Sequence, residues 1–170
     1  MRSKSFAPIS RADARVLILG SLPGAMSLAR QQYYAQPRNG FWRIMAEIAG
    51  AGPDLAYPDR LLRLQQQRIA LWDVCEAAER PGSLDSSIVL KSVTPNAFEA
   101  FLERHPDIRG ICFNGAAAAG LFERLAVPTL SQVHRALPRK RLPSTSPAHA
   151  GMPLERKLAL WRDVLLPLIG

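Results

Sequence analysis

The sequence predicts an α/β domain in which a mainly parallel, four-stranded sheet carries helices on its faces. Three observations predict it. Apolar runs of strand length recur along the chain, each bounded by turn residues. The clearest runs are continuous rather than alternating, as in strands covered on both faces. Helical patterns fall between them, which is the alternation a parallel sheet needs because every strand must be reached by a crossover.

The first run, Val16-Leu17-Ile18-Leu19-Gly20, is apolar up to its closing glycine. Phe41 to Ala49 then reads as a short amphipathic helix that stops at Gly50, and Asp59 to Gln67 as a second that leads into the next run, Ile69-Ala70-Leu71-Trp72-Asp73-Val74. Thr94-Pro95 predicts a helix through Arg104, with Thr94 as N-cap and Pro95 at the first helical position, where a missing N–H costs nothing. The third run, Gly110-Ile111-Cys112-Phe113-Asn114, precedes an Ala-rich helical stretch from Ala116 to Leu125 that ends before Pro128. The fourth, near Lys140-Arg141-Leu142-Pro143, has the least apolar support. A last helix over Leu154 to Leu166 sets Leu154, Leu158, Trp161 and Leu165 at steps of three and four, so that one stripe packs on the sheet.

With 170 residues, no internal repeat and no linker, the chain is read as one domain spanning 1–170. A 48% hydrophobic composition, with 11 Gly and 14 Pro spread along the chain, argues against a disordered or collagen-like protein. No stretch approaches the roughly 18 to 20 apolar residues of a membrane span, and Met1 to Arg15 lacks the apolar core of a signal peptide, so a cytoplasmic protein with no membrane partner is expected. Cys75 and Cys112 each sit in an apolar run without CxxC spacing and read as buried free thiols. Two cysteines cannot supply the four thiolates of an iron–sulfur cluster. No His, Cys, Asp and Glu set has metal-ligand spacing, so neither metal nor cofactor is expected. Against 14 acidic residues stand 22 Lys and Arg, a formal charge of +8, which points to a polyanionic partner through counterion release.

In such sheets the ligand site lies outside the carboxyl ends of the strands. The segments there are Gly20-Ser21-Leu22-Pro23-Gly24, the chain from Asp73 onward, Asn114-Gly115, and Ser144-Thr145-Ser146-Pro147-Ala148-His149. The first is rich enough in glycine for backbone amides to approach a ligand, yet is neither GxGxxG nor a P-loop, and its glycines equally suit a tight strand-exit turn. Tyr33-Tyr34-Ala35-Gln36-Pro37-Arg38-Asn39-Gly40-Phe41-Trp42 is the densest aromatic and amide cluster. Aromatic faces stack on bases, and an amide can orient water or read a base edge. Phe41 and Trp42 also suit core positions opening a helix, whereas Tyr34 and Asn39 lie in a polar, Pro-containing loop where burial does not call for them. Asp73 and Asp85 are the carboxylates nearest strand ends, and Asp85 could orient a neighbour. His105 and His134 read as solvent-facing.

The ordered blocks GSLPGAMS, YYAQPRNGFWRIM, LWDVCEAAERPGSLDSSI, ICFNGAAAAGLF and LPSTSPAHA, from about Val16 to Lys157, resemble the uracil-DNA glycosylase superfamily. They look most like its hypoxanthine-DNA (deoxyinosine) glycosylase branch and, less closely, its mismatch-specific uracil-DNA glycosylases. The resemblance implies a three-layer α/β/α sandwich and a base-excision repair enzyme; separately, a monomer without a protein partner is expected. Such an enzyme flips a deaminated base, hypoxanthine foremost with uracil or a G/T(U) mismatch as alternative, out of damaged DNA and hydrolyses its N-glycosidic bond. Mismatch-specific relatives carry a water-holding Asn where this chain has Leu22, which leaves the catalytic role to Asn39 in the hypoxanthine branch. The resemblance further implies Tyr34 stacking on the base with Gly20, Ser21 and Phe41 around it, Asn114 reading the base edge unless it only makes a strand-exit turn, and Ser144, Thr145 and Ser146 gripping phosphates. His149 is the candidate donor to the leaving base, although relatives often begin this block with His or Asn.

Arg139, Lys140 and Arg141, with Arg135 upstream and Arg156 and Lys157 beyond the loop, are expected at the DNA backbone. A lyase would need an amine nucleophile, and no lysine falls in the four strand-end segments, so a monofunctional hydrolase is expected. Two other classes stand beside it: a damaged-DNA-binding module without catalysis, kept open by Leu22, and a hydrolase of free nucleosides, indifferent to the basic cluster.

Overall fold

The structure is a computed structural model that describes residues 2–170. Its strands are β1 (Arg2–Lys4), β2 (Val16–Gly20), β3 (Ile69–Asp73), β4 (Cys75–Glu79), β5 (Thr94–Pro95), β6 (Gly110–Asn114) and β7 (Arg139–Leu142). Its helices are α1 (Ala25–Arg30), α2 (Phe41–Ala49), α3 (Tyr57–Gln66), α4 (Phe98–Arg104), α5 (Ala116–Leu121), α6 (Gln132–Arg135) and α7 (Leu154–Ile169). The main sheet has the order β3-β2-β6-β7 with every pairing parallel, as the continuous apolar runs predict.

Alternation along β2 sorts the core into two layers. Val16 and Ile18 join Phe41, Trp42, Met45 and Trp161 on one face, beneath α2 and α7. Leu17 and Leu19 join Phe98, Phe101, Phe113 and Phe122 on the other, beneath α4 and α5. The result is three layers, with every residue of β2, β3 and β6 buried. Each fully buried Leu, Ile or Phe contributes about 1.5–3 kcal/mol over an exposed one, so these two apolar layers rather than helix propensity hold the short helices.

Several expectations need correcting. Before the helix expected after the second run is reached, the chain goes straight from Val74 into β4, the centre of a small antiparallel sheet of order β1-β4-β5. Thr94 does not cap a helix. It pairs with Ala77 in β5, and Asn96 turns back to donate its Nδ2 to the Asp73 carbonyl at 2.8 Å, which delays the helix to Phe98 behind Ala97. The Ala-rich helix passes at Phe122 into a wider π turn through Ala126. His105 is buried rather than solvent-facing: its ring stacks on Phe101 and its nitrogens lie 2.7 Å from the Phe101 carbonyl and 3.0 Å from Ser10 Oγ. His134 is half-covered, with Nδ1 2.8 Å from Glu99. Both cysteines are buried and free, and burial pushes each thiol up to about 12. Among the described residues no helix is long and apolar enough to cross a membrane.

Candidate active site

A cavity of about 850 Å³ opens outside the carboxyl ends of β2, β3 and β6, a volume within the range of small-ligand sites. Its walls are the turn from Gly20 to Ser27, the Tyr33–Asn39 loop, Asp73, the Ser83–Ser86 segment, Asn114, and the loop from Ser144 to His149. Of the residues expected at the site, it gathers Gly20, Ser21, Tyr34, Asn39, Asn114, Ser144, Thr145, Ser146 and His149.

Tyr34 is held by its neighbours. Its φ of +54° is unfavourable for a residue with a side chain. On one side the Tyr33 carbonyl accepts the Trp42 indole N–H at 2.9 Å; on the other the Ala35 N–H donates to Ser27 Oγ at 3.1 Å. The Tyr34 ring stacks on Phe41 with centroids 4.1 Å apart and planes 21° from parallel. Phe41 is wholly buried and off the cavity wall, so the structure corrects its expected place at the base: it backs the ring that lines the cavity. The tyrosine hydroxyl is buried with no close hydrogen-bond partner, and burial, with Asp73 adding and the nearby Asn114 amide opposing, raises the phenol above its ordinary range.

Asn39 accepts the Phe41 N–H at 3.0 Å on its Oδ1, and the next residue, Gly40, donates its N–H to the Thr145 carbonyl at 2.9 Å. That leaves a second lone pair on Oδ1 and the amide nitrogen of Asn39 for the cavity. Asn114 is more committed: its Nδ2 donates to Thr145 Oγ1 and its Oδ1 accepts the Thr145 N–H, both at 2.9 Å. It works as a strap on the Ser144–His149 loop with one N–H to spare. Gly115 behind it has φ +94°, where a side chain is strained, and its N–H reaches the Leu142 carbonyl at 3.0 Å, docking the turn on β7. Ser144 and Ser146 accept backbone N–H groups of Ser146 and Ala148, which shapes the loop internally. His149 is exposed at its end, and its carbonyl accepts Lys157 Nζ at 2.7 Å.

Two segments bring a charged cluster to the opposite wall. The buried Arg80 donates to the carbonyls of Leu22 and Pro23 and lies 3.9 Å from Asp85. Ser21 Oγ donates to Asp85 Oδ1 at 2.6 Å, so Asp85 does orient a neighbour. Leu22 packs with Cys75 and Ala78.

Asp73 lies at the floor, opposite Gly20 in the parallel register. Gly20 has no room for a side chain: a Cβ there would stand 2.6 Å from Asp73 Oδ1 and 2.9 Å from the Tyr34 hydroxyl. Asp73 is buried and its Oδ2 has no hydrogen-bond partner. Burial pushes the carboxyl up to about 7, with Asp85 adding and Arg80 opposing. Position at a strand end marked Asp73 in the sequence, but its burial and unpaired oxygen had no sequence signal. Arg38, which also lines the cavity and is exposed, was passed over within the aromatic block.

The basic cluster falls elsewhere. Arg139, Lys140 and Arg141 form the edge strand β7, and none lines the cavity. Arg139 is taken by Glu123 at 2.6 Å and by the Arg135 carbonyl at 2.7 Å. Lys157 is buried behind the loop, which corrects its expected place at the DNA backbone; burial lowers its pKa. No lysine lines the cavity.

Comparison with known proteins agrees with this geometry. Residues 7–165 match the model of the uracil DNA glycosylase superfamily. A hypoxanthine DNA glycosylase of Methanosarcina acetivorans is 41% identical over 126 residues, 74% of this chain and 78% of the relative. That of Methanosarcina barkeri is 37% identical over 116 residues, 68% of this chain and 72% of the relative. The solution NMR structure of a candidate uracil DNA glycosylase from Methanosarcina acetivorans superposes with a TM-score of 0.76 at 36% identity, covering 96% of this chain and 98% of that one.

Proposed function

The chain belongs to the uracil DNA glycosylase superfamily, and we propose that within it the protein is a monofunctional hypoxanthine DNA glycosylase that excises the deaminated base from deoxyinosine in DNA. The observation that carries this reading is the pairing, across one cavity, of an aromatic ring backed by a buried partner with an amide that keeps free hydrogen-bonding capacity.

Hydrolysis of the bond adds water at the sugar C1′ while the base departs with the bonding electron pair. Cationic character grows on the sugar and negative charge on the base, so the enzyme must hold the water, stabilise the base and exclude solvent. Asn39 would hold the water, its free Oδ1 lone pair accepting one water proton and leaving the oxygen aimed at C1′. Tyr34 would stack on the extruded base, a contact tolerant of base identity. Through Thr145, Asn114 would keep the Ser144–His149 loop in place against the strand carrying the base. Excision by hydrolysis alone agrees with a cavity wall free of lysine.

Purified protein incubated with duplexes bearing deoxyinosine, deoxyuridine or a G/T pair tests the reading. Release of free hypoxanthine from the first, faster than any release from the others, is the expected result. Salt-sensitive binding to all three without release of any base would instead establish a sensor of damaged DNA.

A further inference from the structure

We propose that Arg80 is a positioning residue for the reaction: its buried guanidinium holds the turn after β2 by two successive carbonyls and so turns the N–H groups of that stretch toward the charge that grows in the cavity as the base departs. The inference rests on the base-excision reading above and names, within it, a residue that acts from behind the cavity wall.

Three observations carry it. First, every carbonyl from Gly20 to Gly24 is occupied. Those of Gly20 and Ser21 accept the Val74 and Cys75 N–H groups at 2.8 and 3.0 Å, and that of Gly24 accepts the Leu28 N–H at 3.0 Å. Between them the Leu22 carbonyl accepts Arg80 Nη1 at 3.2 Å and the Pro23 carbonyl accepts Arg80 Nη2. In a trans peptide the N–H points opposite to the carbonyl before it, and none of these peptides is cis. The N–H groups of Ser21, Leu22 and Gly24 therefore turn away from Val74, Cys75 and Arg80. None of them meets a protein acceptor among the described residues, and these residues line the cavity.

Second, Arg80 has no stronger engagement elsewhere. Its side chain is 2% exposed, and its nearest carboxylate, Asp85, stands 3.9 Å away, outside hydrogen-bond reach. Its Nε is buried without a partner. A guanidinium buried in this way costs stability that an apolar side chain would not, so its place is explained by the carbonyls it holds rather than by an ion pair.

Third, the chain that carries Arg80 grips the same turn at both ends. Ser21 Oγ donates to Asp85 Oδ1 at 2.6 Å, and the Ala25 N–H donates to Ser83 Oγ at 3.2 Å. Gly82, with φ +74°, lets the chain double back from Arg80 to Ser83.

A charged donor on the Pro23 carbonyl polarises the peptide that carries the Gly24 N–H and makes it a better donor. Donors fixed in advance need no reorganisation as the electron pair of the glycosidic bond moves onto the base. Lysine would keep the charge as a point on a flexible stem and lose the planar fork that spans two carbonyls.

Single-turnover excision of deoxyinosine from a duplex, at rising concentrations of wild type, Arg80→Lys and Arg80→Met, tests this by separating the saturating rate from the half-saturating concentration. Arg80→Met should lose about a hundredfold in saturating rate, with half-saturation within about threefold of wild type. Arg80→Lys should lose about tenfold with half-saturation equally unmoved. A merely structural Arg80 would shrink the folded fraction, which raises the half-saturating concentration and leaves the saturating rate unchanged; that result would overturn the assignment. If Arg80→Met does not fold, Arg80→Lys decides by the same split. A wild type that releases no base at any concentration would instead overturn the base-excision reading itself.

Discussion

Replacing Asp73 with Asn should change how the stability of this protein depends on pH, independently of any activity. The carboxyl has a pKa of about 7 in the fold against an ordinary value of 3.8. Between those values the native state binds a proton that the unfolded chain has released, so stability falls as pH rises through that window and levels off above it. A displacement of about three units at about 1.4 kcal/mol each gives a loss of about 4 kcal/mol from pH 4 to pH 8. Asn cannot titrate, so this component vanishes in Asp73→Asn. Urea unfolding of both proteins at pH 4, 5, 6, 7 and 8 measures it, because differences between the two curves cancel the contributions of all other groups. The unfolding free energy of Asp73→Asn minus that of wild type should grow by about 4 kcal/mol across the series, most of it below pH 7. A difference constant to within about 1 kcal/mol would refute the claim that Asp73 is buried as a neutral acid.

Three further outcomes follow from the same cavity. Tyr34→Phe removes a buried hydroxyl that makes no close hydrogen bond and should cost no more than about 1 kcal/mol in thermal unfolding, while Tyr34→Ala, which loses the stacking face, should weaken binding to deoxyinosine DNA about 10- to 100-fold. Gly20→Ala places a methyl 2.6 Å from Asp73 Oδ1 and should cost about 1–3 kcal/mol of stability together with most of the excision rate. Arg38→Ala should reduce the salt dependence of DNA binding by about one phosphate contact, whereas Arg139→Ala, whose guanidinium is already paired with Glu123, should leave that slope unchanged in titrations from 50 to 200 mM salt.

The main sheet was readable because its signal is strong and local. The run at Val16–Gly20, the third run at Gly110–Asn114 and the helix Phe41–Ala49 have the expected bounds, since continuous apolar stretches ending at glycine or asparagine leave few alternatives. The small sheet was not readable. β4 continues from β3 across the single residue Val74, and β1 is Arg-Ser-Lys, a segment whose strand character comes only from pairing with β4. Thr94-Pro95 carried a sound local capping signal, but long-range pairing with β4 overrode it.

The site divides in the same way. Loops at strand ends are brought together by topology, so the Ser144–His149 loop could be nominated from position alone, whereas Tyr34 and Asn39 were marked by their aromatic and amide block and its resemblance. What position could not convey was burial. Phe41 lies behind Tyr34 instead of beside the base, and Asn114 is tied to Thr145. The Arg139–Arg141 cluster precedes the active loop in sequence but runs along a sheet edge. For Asp73 the three-dimensional environment turns an ordinary acidic residue into the most unusual group in the cavity.

The central claim, that this cavity cleaves hypoxanthine from DNA with Asn39 holding the water, is tested most directly by single-turnover release of hypoxanthine from a duplex with one deoxyinosine, comparing wild type with Asn39→Ala. Wild type should release the base completely, and Asn39→Ala, folded as judged by an unchanged circular dichroism spectrum, should be slower by about a thousandfold. An Asn39→Ala protein as fast as wild type, or a wild type that leaves deoxyinosine intact over hours, would contradict the account.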